Sequence, residues 1–262
     1  MNDFLTVRLN GNEISMMKLN GAIIYQKAVE PEPGLPIVAK YTLSDTSKTS
    51  PTYVGGKPSD WTETIKNNND GTYTVTIRAS RPAGFIRFNE MTSLISMDYL
   101  DVSRLGSSSS MFEDCTNLTY INTSNWSGGT GDMSNMFKNC ASLTSLDLSG
   151  LEAYNSETVG MFDSTFYGCS NLEILNISNF SLNYYNIEEG YMARNTFDGC
   201  TSLHTIRMDN CNYWFMSEIR SSLPSNTIPG VTKNVYCREE NMTDVNGSYR
   251  INFPGWTINY IV

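Results

Sequence analysis

Between about Phe88 and Trp214 the apolar residues fall into one recurring order: Phe, then Cys three residues on, Leu three further, and an apolar residue three beyond that. The copies read Phe112, Cys115, Leu118, Ile121; Phe137, Cys140, Leu143, Leu146 with Leu148; Phe166, Cys169, Leu172, Leu175 with Ile177; and Phe197, Cys200, Leu203, Ile206 with Met208. A degenerate first copy, Phe88, Met91, Leu94, Met97, Tyr99, has Met in the Cys slot. The Phe residues are spaced 24, 25, 29 and 31 apart, which is within or close to the range of stacked-repeat architectures. Phe and Cys three apart share one face of a helical turn, and the Leu-x-Leu alternation places apolar side chains on one side of a short strand. Neither piece can bury its apolar side alone, so the copies must stack. Strands repeating in the same sense pair in parallel about 4.8 Å apart, and five copies then span on the order of 20–25 Å.

The flanks read differently. Phe4 to Leu9, Glu13 to Leu19 and Ala22 to Lys27 alternate like strands and are separated by Asn10-Gly11 and Asn20-Gly21. Asn-Gly suits a two-residue hairpin turn because both positions take positive φ. Residues 1–29 are therefore expected to form a small β meander, too short to make a core of its own. Residues 30–37, with Pro31, Pro33 and Pro36, read as a stiff linker. Residues 38–87, above all Gly71 to Arg78, read as an N-terminal β cap for the repeats of 88–227, and 228–262 as a C-terminal β cap, since an open repeat end exposes apolar surface.

The repeat resembles the BspA type of leucine-rich repeat, in which Met-Phe precedes a Cys and Leu-x-x-Leu-x-Leu-Ser follows. Met111-Phe112, Met136-Phe137 and Leu143 through Ser149 match nearly residue for residue, whereas Phe166 and Phe197 lack the preceding Met. The resemblance covers about half the chain. It implies a mostly β protein with short helical turns: a leucine-rich-repeat solenoid with a parallel sheet, β caps and the N-terminal meander. The family occurs in bacterial surface adhesins, protist surface proteins and phage proteins. The short leader, Pro-rich linker and recognition module also resemble the layout of phage fibre and tail proteins.

Composition narrows the chemistry. The net charge of −9 and the absence of a basic run argue against a nucleic-acid surface. The start lacks the charged and apolar regions of a secretion signal, and no stretch approaches a membrane span. Cys115, Cys140, Cys169 and Cys200 hold one repeat slot and are expected to be buried free thiols, because side chains in a ladder run parallel and fit disulfide geometry poorly. Cys211 and Cys237 lie outside that register, and a bond between them stays open. His204, the single histidine, has no Ser or Cys constellation to match it, and no metal-ligand spacing occurs. Asp98 and Asp147 could serve as a carboxylate pair but read better as solvated face residues. The Asn-x-Ser/Thr sequons, among them Asn117, Asn122 and Asn176, follow from the composition.

The expected role is thus binding or structural, without enzymatic activity, cofactor or metal. Ligand candidates come from two places. The outward strand stripe carries Ser96, Asp98, Tyr120, Asn122, Ser145, Asp147, Ile174, Asn176, Thr205 and Arg207. The longest insertion, between Ile177 and Phe197, carries Phe180, Tyr184, Tyr185 and Tyr191, and the preceding one carries Tyr154 and Phe162; per-repeat insertions tend to collect on one face. The expected partners are a cell-surface protein or polysaccharide and, through residues 1–29, other virion proteins in a homo-oligomer or larger assembly, with neither nucleic acid nor membrane. The alternative is a bacterial or protist adhesin or interaction scaffold.

Overall fold

A computed structural model describes residues 3–9, 12–19, 22–28, 34–53, 57, 59–81, 86–104, 106–153, 161–182 and 193–262. The chain divides into two compact units, Met1–Pro36 and Ile37–Val262. In the first, β1 (Asp3–Leu9), β2 (Asn12–Leu19) and β3 (Ala22–Ala28) form an antiparallel sheet in that order. The end pairs Leu9↔Asn12 and Leu19↔Ala22 leave two residues for each connection, the length that Asn-Gly turns serve. Those turn residues lie outside the described set.

The second unit contains, in chain order, β4 (Ile37–Leu43), β5 (Thr52–Tyr53), β6 (Thr62–Asn67), β7 (Tyr73–Arg78), β8 (Ile86–Arg87), β9 (Leu94–Leu100), β10 (Tyr120–Ile121), β11 (Gly128–Thr130), β12 (Ser145–Asp147), β13 (Leu151–Ala153), β14 (Ile174–Asn176), β15 (Thr205–Arg207), the helix α1 (Tyr213–Ile219), β16 (Asn234–Cys237) and β17 (Thr257–Tyr260). The protein is mostly β, with several sheets, no closed barrel and one α-helix among the described residues. One sheet has the order β10-β9-β4-β7-β6: β4 is antiparallel to both β7 and β9, and β9 is parallel to β10. The hairpin β6–β7 turns through Asn69 and Gly71, both at positive φ. The second large sheet, β12-β14-β15-β16-β17, is parallel throughout. Its last two strands come from the tail, so the region expected as a C-terminal β cap supplies two further parallel rungs.

The apolar pattern becomes a stack. Phe88, Phe112, Phe137, Phe166 and Phe197 are at most 1% exposed and form a column of near-parallel rings with centroids 5.4–5.8 Å apart. The first four backbone amides in that column donate across to the following copy: Phe88 to Met111 O, Phe112 to Met136 O, Phe137 to Thr165 O and Phe166 to Thr196 O, at 2.7–3.0 Å. Backbone groups that a helix would satisfy internally are instead paired between copies, which meets the demand that buried amides find partners.

The expected helical turns are not helical. The residue two before each of the last four repeat Phe residues (Ser110, Asn135, Ser164, Asn195) and the residue two after all five (Glu90, Asp114, Asn139, Gly168, Gly199) have positive φ. An α-helix cannot pass through left-handed residues, so the chain runs through i→i+3 turns such as Cys115 N to Phe112 O and Leu118 N to Cys115 O, both 3.1 Å. The Phe–Cys spacing of three suits such turns as well as it suits a helix.

The one α-helix among the described residues fills a different need. Asn212 caps α1 by accepting from Phe215 N at 3.0 Å, and Phe215, Met216 and Ile219 are buried. Phe215 meets Phe162 and Phe180 edge-on, with centroids 4.9 and 5.8 Å apart. The insertion aromatics Phe162 and Phe180 are therefore core residues, 1% and 0% exposed.

A candidate ligand site on the outer strand face

The parallel register lines up the stripe residues in two rows. Ser145, Ile174, Thr205, Asn234 and Thr257 are cross-strand partners in sequence, as are Asp147, Asn176, Arg207, Tyr236 and Asn259. Tyr120 and Asn122 occupy the same repeat positions one copy earlier, and Tyr120 pairs with Ser96. A concavity of about 510 Å³ opens on this face, and its lining includes Tyr120, Asn122, Asp147, Asn176 and Arg207 together with Ser145 and Ile174. Its first row is notched at the small Ser145, which pairs with Ile174 and whose strand lies against that of Tyr120; Tyr120 and Ile174 are 55% and 46% exposed.

The second row doubles as the end of each strand. Asn122 Oδ1 accepts from Ser124 N at 3.1 Å, Asp147 Oδ1 from Ser149 N and Oγ at 2.9 and 2.6 Å, and Asn176 Oδ1 from Ser178 N and Oγ at 3.3 and 2.5 Å. Such side-chain turns release the chain from the strand. Asn122 Nδ2 also donates to Asp98 O at 3.1 Å. Among the described residues, Asp147 Oδ2 accepts no hydrogen bond and Asn176 Nδ2 donates none. Arg207 is held by Asp209, Nη2 to Oδ2 at 2.6 Å, and its guanidinium lies 5.6 Å from the centre of the Tyr236 ring.

The remaining sequence candidates fall elsewhere. Tyr184, Tyr185, Tyr191 and Tyr154 lie outside the described residues. Asp98 accepts from Ser96 Oγ at 2.9 Å and Thr42 Oγ1 at 3.4 Å. His204 has Nδ1 3.0 Å from Thr205 Oγ1 and Nε2 4.0 Å from Glu173 Oε2. Among the described residues no group of three or more His, Cys, Asp and Glu side chains is placed to hold a metal ion, and no helix is long and apolar enough to cross a membrane. The sequon residue Asn117 donates to Thr92 O at 2.8 Å, so its amide bridges neighbouring copies. Tyr236, Asn234 and Asn259 extend the rows beyond the stripe read from sequence; the signal was present in the alternation of Asn234 to Cys237 and Thr257 to Tyr260, which lacks the Phe-x-x-Cys marker.

All six cysteines are free and buried. The four ladder thiols each donate to the carbonyl of the preceding copy's Phe: Cys115 to Phe88 O, Cys140 to Phe112 O, Cys169 to Phe137 O and Cys200 to Phe166 O, at 3.0–3.1 Å. Cys211 does the same to Ile177 O at 3.0 Å, and Cys237 contacts Met242 Sδ at 3.5 Å. Burial pushes the Cys115 and Cys200 thiols up to about 12, and Cys140 and Cys169 well above the usual thiol range. A thiol held protonated is a poor nucleophile.

No curated protein and no solved structure matches the chain. Residues 85–214 match the family model described as "Mycoplasma protein of unknown function, DUF285".

Proposed function

We propose that this chain is a non-catalytic binding protein, a leucine-rich-repeat solenoid of the BspA kind, displayed on a phage virion so that its outer strand face meets a protein or polysaccharide of the host surface. In this reading residues 1–29 join other virion proteins and the assembly is homo-oligomeric or larger. The observation that supports a binding role is the concavity of the strand face, where Tyr120 and Ile174 stand exposed on an otherwise small and polar surface. Exposed apolar groups gathered on one polar-rimmed spot mark contact sites more often than scattered ones do. The decisive experiment is mass spectrometry of purified virions combined with adhesion of the purified chain to host cells. The chain should be found in the particles and should compete with them for attachment; absence from the particles removes the virion reading.

A second reading, a bacterial or protist adhesin or interaction scaffold, draws support from the match of residues 85–214 to a family described as a Mycoplasma protein. It predicts the polypeptide on the surface of a producing cell, where accessible-surface labelling would find it.

A further inference from the structure

The concavity can be read more finely, on the assumption that the strand face is a contact surface at all. We infer that it takes a neutral saccharide, with one pyranose ring seated over Ser145 between Tyr120 and Ile174. Tyr120 on β10 and Ile174 on β14 stand on either side of β12, which pairs with β14 and lies against β10 without a shared ladder. Ser145 between them leaves room at the floor. A sugar ring presents C–H groups on its faces and hydroxyls around its rim, which calls for apolar walls and in-plane polar partners. The walls are the Tyr120 and Ile174 side chains. The polar partners come from the second row: Asp147 and Asn176 are cross-strand neighbours, and each already commits one atom to its own turn, Oδ1 in both cases.

That commitment fixes both side chains and identifies the Asn176 amide orientation, because Ser178 N must face an oxygen. What remains on adjacent rungs is one acceptor, Asp147 Oδ2, beside one donor, Asn176 Nδ2. Two vicinal hydroxyls can satisfy that pair, one donating to the carboxylate and the other accepting from the amide, with no reordering of either side chain. Pre-ordered partners lower the entropy lost on binding.

Charge selects among saccharides. Arg207 is neutralised by Asp209, which leaves the Asp147 carboxylate as the local charge in a chain of net charge −9. Sulfated, phosphorylated or carboxylated sugars would bring like charge to it. Size selects too: about 510 Å³ lies within the range of small-ligand pockets, and a protein partner would need a far broader contact.

The test is titration calorimetry of the full chain against neutral hexose and N-acetylhexosamine disaccharides and their sulfated counterparts, with Tyr120→Ala and Asp147→Asn variants. Asp147→Asn keeps an oxygen for the turn while removing the carboxylate. At least one neutral disaccharide should bind, its sulfated form more weakly, and each variant should lose about tenfold or more in affinity with an unchanged Tm. A chain that binds none of the neutral probes at about 10 mM, or that prefers the sulfated ones, overturns the saccharide assignment. Adhesion of the chain to cells, measured in parallel, separates the two readings. If the variants weaken adhesion while no sugar binds, the strand face is the contact surface for another ligand; if they leave adhesion intact, the strand face itself is excluded.

Discussion

The repeated cysteine is best understood through the carbonyl it faces. The Phe112, Phe137 and Phe166 oxygens each already accept the amide of their own Cys, as Phe112 O does from Cys115 N at 3.1 Å, and the thiol of the next copy occupies a second acceptor site on each oxygen. A small hydrophobe with a weak donor fits that slot. Serine in place of Cys140 has a shorter Cβ–O bond, which draws the hydroxyl back from Phe112 O and thins the packing. Cys140→Ser is expected to cost about 1–3 kcal/mol, the usual range for an imperfectly partnered buried hydroxyl, read from urea denaturation. Alkylation in native buffer should leave Cys115, Cys140, Cys169 and Cys200 unmodified until the protein is denatured. The same burial gives an alkaline limit. An unfolded thiol ionises near its ordinary value of 9.0 and the folded Cys115 and Cys200 thiols near 12, so the unfolded state binds fewer protons between those values. Stability is complete below about pH 9 and falls above it, by about 1.4 kcal/mol per pH unit for each such thiol. Tm should drop between about pH 9 and 11, and less steeply in Cys115→Ala; equal slopes would refute the assignment. Glycine positions separate two costs. Gly71 at φ +89° has open space around it, whereas a Cβ on Gly168 at φ +73° would sit 2.4 Å from Asn139 Oδ1, an amide tied to Asp114 Oδ1 at 2.7 Å. Gly168→Ala should therefore destabilise by more than Gly71→Ala, which carries only the conformational penalty of about 1 kcal/mol.

At the scale of elements, the parallel strands and the Phe column were legible because they follow from a period that the apolar residues announce. The turns were not. Their left-handed positions fall on Glu90, Ser110 and Ser164 as well as on Asn, Asp and Gly, and the first three have no intrinsic signal for positive φ. The stack imposes that conformation, since the amides must point to the neighbouring copy. Helix α1 was invisible for a related reason: seven residues without an acidic first turn or a basic last turn give periodicity little to register. Its evident marker is Asn212, an N-cap of the preferred kind. Asn212→Ala is expected to cost about 1 kcal/mol, because its amide also donates to Leu182 O at 2.6 Å and its oxygen accepts from Leu182 N; a change within error would show the helix held by Phe215 alone. The last two rungs kept the strand alternation but dropped the marker, with steps of 29 and 23 residues from Thr205 to Asn234 and on to Thr257. Of the candidate site, the row membership of Tyr120, Asn122, Asp147, Asn176 and Arg207 was readable from alternation. The notch was not, because it depends on which large side chains neighbour a small one across strands.

For the whole molecule, the division at Pro36 makes the first unit separable in principle. A chain lacking residues 1–34 is expected to keep its β circular dichroism and a cooperative melt while losing assembly with its partners. Collapse of the melt on that deletion would make the meander part of the second unit's stability. Within the second unit, one short set of bonds joins each copy to the next: a ring contact, a thiol to a carbonyl, and amides such as Phe137 N to Thr165 O. Contacts of that kind run only between nearest neighbours, so stability is nearly a sum over interfaces. Under tension this has a mechanical meaning. A pull along the stack reaches its seams in series, and the chain should yield copy by copy, releasing 23 to 31 residues at each step, as optical-tweezer extension would record. An anchored protein of this build would act as a shock absorber, surrendering length in instalments before its attachment breaks.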